Sequence, residues 1–263
     1  MKEIALDIVI PVYNEADNIV PVLNSLNRHV QTPCRIQICY DNENDTTLPA
    51  VQSHLSAYKF EIVFTKNKER GPHRAITTGF ENTVGKATLV FPADDTQNAI
   101  IVDKMFQLFL DGHEIVAASR FMKGGSMKRC PWLKSLLVRT ASFTLHWIAF
   151  IPIKDASNGF RLFSKRVLDT IQIESTLGFT YSIELLVKCH RIGWKIGEVP
   201  ANWIEREKGK SNFKVLTWLP YYLKWYRYGF QTTYLRLWAI LIGRQPKDWE
   251  VGIYKNQYSD RRP

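Results

Sequence analysis

Val9-Ile10-Pro11-Val12-Tyr13-Asn14-Glu15, read together with Pro92-Ala93-Asp94-Asp95, decides how this chain folds. Ile4 to Val12 is an apolar run rich in β-branched residues, closed by a proline and followed by polar residues, so it reads as a buried strand. Asn14 or Asp17 can then cap a helix that runs through Leu26. Ala87 to Phe91 is a second short apolar run, and it delivers Asp94 and Asp95 at its C-terminal end. Ligands of open α/β sheets gather at the carboxyl ends of strands, so acids emerging there in two loops point to a binding site rather than to two helix caps.

Strand and helix signals go on alternating outward from this pair. Strands are expected at Arg35–Tyr40, Phe60–Thr65 and Glu114–Ala118, with helices at Leu48–Ser56, Arg74–Asn82 and Ile101–Leu110. Such alternation predicts βαβ units and a mostly parallel sheet flanked by helices. After Arg120 a helix is expected over Pro131–Phe150 and a strand over Gly159–Phe163. A helix over Tyr181–Arg191 and a strand over Lys195–Val199 follow. From Pro220 onward a further helix is expected, with the proline in its first turn. The expected organisation is a main domain over 1–214, an aromatic and basic helical segment over 215–243, and a polar tail over 244–263.

The net charge of +10 is concentrated. Arg120 to Arg139 carries six cations and no acid, and Glu205 to Arg227 carries six cations and two acids. That placement suits a local anionic partner such as a phosphate, a diphosphate or an acidic membrane surface. No helix-turn-helix, zinc-finger or ribonucleoprotein pattern accompanies it, so nucleic acid is not the expected partner. Cys34, Cys39, Cys130 and Cys189 have neither disulfide-framework nor zinc spacing, which fits a reducing, cytoplasmic setting. The chain shows no signal-peptide pattern. Leu136 to Ile153, the longest apolar candidate, is broken by Arg139, His146 and Pro152, so it reads as a core or interfacial helix and not as a membrane span. The 215–243 segment mixes aromatics with Lys224, Arg227 and Gln231 on one helical face. An in-plane membrane helix and a helix packed on the domain, or on a second subunit of a homo-oligomer, both suit it.

Six spaced motifs resemble family 2 glycosyltransferases, and among these the dolichyl- and polyprenyl-phosphate sugar synthases. They are Ile8–Glu15, the polar loop at Asp41, Ala93-Asp94, Ser119-Arg120-Phe121, Asn158–Phe163 and Arg206–Ser211. The resemblance spans roughly residues 4 to 214 and implies a GT-A fold, a nucleotide-diphosphate sugar donor (GDP- or UDP-linked), inverting transfer and a divalent metal, Mg²⁺ or Mn²⁺. It places Pro11, Tyr13, Glu15, Tyr40, Asp41, Asn42 and Ala93 against the nucleotide, with Asn42 where many relatives carry a second Asp. Carboxylates there accept hydrogen bonds from a base edge or ribose hydroxyls. Asp94 is expected to hold the metal on the donor diphosphate, where the family's DXD signature would also put an acid at position 92. This chain has Pro92, so Asp95, Thr96 or Gln97 must complete the site. Arg120 stands where relatives contact phosphate, Arg206 and Lys210 on the loop that closes over the donor, and Lys134 (or Arg129) near the acceptor phosphate.

A lipid phosphate is already an anionic nucleophile, whereas an alcohol needs a carboxylate base. Asp155 and Glu184 are the carboxylates the second half offers for that task, Asp155 facing the acceptor and Glu184 either there or buried. His73 and His190 read as structural. The leading expectation is sugar transfer to a polyprenyl phosphate at the cytoplasmic membrane face, by a chain attached peripherally and without a span. The alternatives are transfer to a saccharide hydroxyl in surface polysaccharide synthesis, and a nucleotide-sugar-binding protein with little catalysis.

Overall fold

The structure is a computed structural model that describes residues 4–204 and 215–242. Buried parallel strands are mostly apolar on both faces, and three runs of the first half approach that condition, each with one wholly buried polar residue, Asp7, Gln37 or Thr88. They form β1 (Leu6–Pro11), β2 (Cys34–Tyr40) and β4 (Ala87–Val90), with β3 (Glu61–Lys66) at the sheet edge beyond β2. Ile8 and Ile10 face one core layer with Ile36, Ile38 and Leu89. Val9, on the opposite face, meets Cys39 and Ala75. The second half of the sheet comprises β5 (Ile115–Ser119), β7 (Arg161–Ser164) and β8 (Ile196–Pro200). The strand order is β3-β2-β1-β4-β7-β5-β8, parallel throughout except for β7, which runs antiparallel between β4 and β5.

Helices α1 (Ala16–His29), α2 (Thr47–Gln52) and α4 (Val102–Leu110) cover the Ile8 face. The other face is covered by α3 (Pro72–Glu81), α6 (Lys165–Thr170) and α7 (Thr180–Arg191), with α5 (Trp132–Trp147) and α8 (Val215–Leu241) packed outside them. Tyr181, Leu185 and Trp225 are the large side chains that fill this second layer.

Two local expectations are corrected, and the other differences are elements not anticipated. The N-cap of α1 is Glu15, without a side-chain cap bond, because Asn14 adopts a left-handed φ of 55° and is tied to another loop. The expected helix over Ile101–Leu110 is preceded by a 3₁₀ turn, Asn98–Ile101. The last helix begins at Val215, so Pro220 sits inside it and not in its first turn. A two-stranded parallel ribbon, β6 (Ser126–Lys128) with β9 (Asn202–Ile204), was not anticipated and neither was α6.

Candidate active site

The carboxyl ends of β1, β2 and β4 open on one side, and carboxylates bonded to backbone N–H groups lock their loops together. Asp45, buried and not singled out by the sequence, is the central strap. Both its oxygens accept from the Asn14 N–H at 3.1 Å, and Oδ1 accepts from the Thr47 N–H at 2.8 Å. The Thr47 hydroxyl accepts from the Glu15 N–H at 2.9 Å, and Asn14 Oδ1 accepts from the Thr46 N–H at 3.2 Å. The β1 and β2 loops therefore move as one body. Asp45-Thr46-Thr47 is an Asx-turn sequence, which is the signal that could have found it.

Asp41 ends β2 and performs the same task toward the next loop. Its Oδ1 accepts from Asn67 Nδ2 at 2.7 Å and its Oδ2 from the Gly71 N–H at 3.0 Å. Gly71 has φ 113°, a conformation that only glycine adopts without strain, and it opens α3. A carboxylate has about four acceptor positions, so Asp41 retains capacity for ribose or base donors. Tyr40 is buried, and its hydroxyl reaches Glu43 at 3.2 Å; burial and that carboxylate both raise its pKa. Pro11 is half-buried, Asn42 is exposed, and Tyr13 is 61% exposed at the mouth of the site.

At the end of β4, Ala93 is buried and Asp94 is half-buried. Asp95 turns back into the loop. It accepts from the N–H groups of Gln97 and Asn98, both at 2.9 Å, and from Asn98 Nδ2 at 2.6 Å. Burial raises its pKa against those hydrogen bonds. Asn98 in turn donates to the Asn202 carbonyl at 2.6 Å and accepts from the Asn202 N–H at 2.9 Å, tying this loop to β9. The expectation that Asp95 serves as a metal ligand meets a carboxylate already committed as the cap of the 3₁₀ turn. Among the described residues no three His, Cys, Asp or Glu side chains converge into a self-sufficient metal site. Mg²⁺ and Mn²⁺ bound through one carboxylate, a substrate diphosphate and waters do not require one, and Asp94 fits that role.

Asp155 requires a correction. It is wholly buried, so the expectation that it faces an acceptor meets a side chain with no exposed surface. Its carboxylate takes a fork from Arg120, Nε at 2.7 Å and Nη2 at 2.9 Å, together with the Arg120 N–H at 3.0 Å and the Ser157 hydroxyl at 3.0 Å. Burial alone would raise its pKa, but the Arg120 charge and hydrogen bonds outweigh that and hold it below the ordinary carboxylate value. Arg120, whose side chain is 8% exposed, is accordingly neutralised within the protein rather than extended toward a ligand. Arg161 of the Asn158–Phe163 motif is buried too. Its guanidinium donates to the carbonyls of Ala156 at 2.6 Å and Ser182 at 2.5 Å, and burial depresses its pKa to about 10. Glu184 is the buried partner of the two readings offered. It accepts from the N–H groups of Glu174 and Ser175 at 2.6 and 2.8 Å, and from Lys188 Nζ at 2.7 Å.

Lys134, on α5, lies with its ammonium 4.9 Å from the ring centre of Trp203 in β9. Arg139 and Arg120 both lie over the Phe121 ring, at 5.1 and 5.2 Å. Arg206 and Lys210 lie outside the described residues. His73 is buried with its Nε2 3.2 Å from the Ser175 hydroxyl, in keeping with a structural role.

Residues 7–172 match the model of a family described as Glycosyl transferase family 2. The chain is 26% identical over 225 residues to the dolichol-phosphate mannosyltransferase of Pyrococcus furiosus, covering 84% of this chain but only 63% of that protein. It is 25% identical over 228 residues to the polyprenol monophosphomannose synthase of Mycolicibacterium smegmatis, covering 80% of this chain and 85% of the relative. Among solved structures it resembles glucosyl-3-phosphoglycerate synthase from Mycobacterium tuberculosis in complex with Mn²⁺, UDP and phosphoglyceric acid. The TM-score is 0.62 at 14% identity, over 87% of this chain and 78% of that one. The expected GT-A architecture is thereby borne out.

Proposed function

The chain belongs to glycosyl transferase family 2, and we propose that it moves a sugar from a nucleoside-diphosphate donor to a polyprenyl phosphate. One observation carries the choice of acceptor. Asp155 and Glu184, the two second-half carboxylates singled out as candidate bases for a hydroxyl acceptor, are both wholly buried and held in ion pairs. An acceptor that arrives as a phosphate anion needs no base. The names of the two sequence relatives support the same acceptor class.

In this reading Tyr13, Glu15, Asp41 and Asn42 receive the nucleoside. Asp45 and Thr47 hold those loops ready before the donor arrives, which reduces the ordering cost of binding. Asp94 holds a divalent cation shared with the donor diphosphate, and that cation offsets the charge gathering on the departing nucleotide. Arg206 and Lys210 are assigned to the donor phosphates by their sequence motif and Lys134 to the acceptor phosphate, while Arg120 ties down the Asp155 loop. The reaction takes place at the inner membrane face, with α8 as an in-plane attachment. Among the described residues no helix is long and apolar enough to cross a membrane.

The test is incubation of the full chain with radiolabelled GDP- and UDP-sugars, Mn²⁺ and micellar polyprenyl phosphate. Label entering an organic-extractable product, only when both substrates are present, is the expected result. Transfer to saccharide hydroxyls alone, or donor binding with no turnover, would overturn it.

A further inference from the structure

A surface helix ordinarily turns its apolar stripe to the core, but α5 leaves an apolar stripe uncovered. Ser142 and Leu145 point inward, and the Thr144 hydroxyl meets the Tyr226 hydroxyl of α8 at 2.7 Å. The outward stripe is Trp132, Leu136, Phe143 and Trp147, within roughly 60° of arc at 100° per residue, with Leu133 beside it. All five are exposed, Trp132 at 76% and Trp147 at 61%. Sixteen residues make the stripe about 24 Å long. Its far end continues into Phe150 and then into the end of α8, where the Thr233 hydroxyl donates to the Ala149 carbonyl. There Tyr234, Trp238 and Leu241 are exposed in turn.

The charge around the stripe identifies what covers it. From Ile115 to Lys154 the chain has seven cations and no acid, of which Arg120 alone is turned inward onto Asp155 while Lys123, Lys128 and Arg139 are exposed, and 215–242 contains no acid either. A second copy of the chain docked through the same face would set those cations against themselves, because a two-fold interface pairs a patch with its own image. Tryptophans near both ends of an apolar stripe, rimmed by cations, match an anionic lipid headgroup layer instead. We infer that α5, continued by the end of α8, lies flat in an anionic membrane surface and is the principal docking face of the protein. The inference deepens the membrane reading above and rests on it for the class of occupant. Lys134, on the opposite side of α5 from the stripe, then faces Trp203 of the ribbon that Asn98 and Asn202 tie to the Asp94 loop.

The experiment is sedimentation of the full chain with vesicles of phosphatidylcholine alone and of phosphatidylcholine with 30% phosphatidylglycerol (about a third anionic, enough to set up a negative surface potential). Wild type should pellet with the anionic vesicles and release as salt rises. Leu136→Glu with Trp147→Glu should lower the bound fraction about tenfold at unchanged melting temperature. Lys128→Glu with Arg129→Glu should weaken only the binding to anionic vesicles. Wild-type binding by the Leu136/Trp147 variant, or no binding by wild type, would overturn the inference. So would light scattering that shows a dimer dissociated by Leu136→Glu. Transfer to micellar polyprenyl phosphate should survive in the Leu136/Trp147 variant. Its failure in wild type would count against the transfer reading and leave the docking result standing.

Discussion

Replacing Asp155 with Asn separates a structural carboxylate from a catalytic one. The wild-type carboxylate is wholly buried and accepts from Arg120 Nε, Nη2 and N–H and from the Ser157 hydroxyl at 2.7 to 3.0 Å. Asparagine keeps one acceptor oxygen and turns an NH₂ toward a donor of Arg120, so one arm of the fork becomes donor against donor. It also leaves two buried guanidiniums, Arg120 and Arg161, with no carboxylate between them. Breaking a buried pair from one side costs about 3–5 kcal/mol, and the slight exposure of Arg120 puts this case near the lower figure. At roughly 2–4 °C per kcal/mol for a domain of this size, Tm should drop by about 6–12 °C. Adding Arg120→Met removes the stranded cation, so the double variant should be no less stable than Asp155→Asn alone.

The pH dependence follows from the sign of the shift. The folded pKa lies below the unfolded one, so the stabilisation from Asp155 is complete above the unfolded value, about 3.9, and disappears as pH falls through the folded value. The gap between wild type and Asp155→Asn should therefore stay flat from pH 8 to 5 and narrow only below about 4. Assayed where both are folded, the two should share one shape of pH–rate profile. Thermal melts within about 2 °C of each other, or an additive double-mutant cycle, would refute the ion-pair account. Loss of the acidic limb of the rate profile would restore a base role and with it a hydroxyl acceptor.

Asp94→Ala should abolish the Mn²⁺-dependent part of the thermal shift produced by GDP or UDP and leave the ligand-free Tm unchanged; an undiminished shift would remove Asp94 from the metal site. Burial, followed by the Arg74 charge, pushes the His73 pKa down to about 4. The unfolded chain therefore takes up that proton first, and stability should fall between pH 6.5 and 4 by up to about 1.4 kcal/mol per unit, a slope that His73→Gln should flatten. An alanine Cβ at Gly79 would lie 2.6 Å from a Val9 methyl where α3 meets β1. Gly79→Ala should cost about 1–3 kcal/mol in denaturant melts despite its better helix propensity, and Val9→Ala should recover part of that; equal stability would show that α3 can shift outward.

The parallel half of the sheet was legible because its strands are short, mostly apolar runs, Ile8 to Ile10 and Ile36 to Tyr40 (interrupted only by Gln37), each followed by an acidic loop. Topology then carried Asp41 and Asp94 to the site, since parallel strands deliver their carboxyl ends to one side. The β6–β9 ribbon was not legible, because three-residue strands such as Asn202–Ile204 have no period to read. Pro220 misplaced the start of α8 because a proline inside a long packed helix can be tolerated once neighbouring helices hold it. The roles of Asp155 and Glu184 were hidden for another reason. A carboxylate's function depends on what stands opposite it, and Arg120 is thirty-five positions from Asp155 in the chain.

The arrangement also bears on how one chain could manage two anionic substrates. A donor diphosphate and a lipid phosphate repel each other, and each needs cations that the other does not consume. Asp45 accepts from backbone N–H groups, and Asp41 from the Gly71 N–H and the Asn67 amide, which fixes these loops without adding a cation there. In the proposed reading, charge compensation for the donor diphosphate falls to a divalent ion at Asp94 and to Arg206 and Lys210 of the sequence motif. The acid-free stretch from Ile115 to Lys154 lies elsewhere, around α5. Within it Arg120 is neutralised by Asp155. The excess of cations over acids along that stretch would draw an anionic lipid toward α5. Lowering salt should therefore speed transfer to a membrane-embedded acceptor more than transfer to a short water-soluble one. Equal salt dependence for the two acceptors would mean that the cations serve only the donor, and the division of charge proposed here would fail.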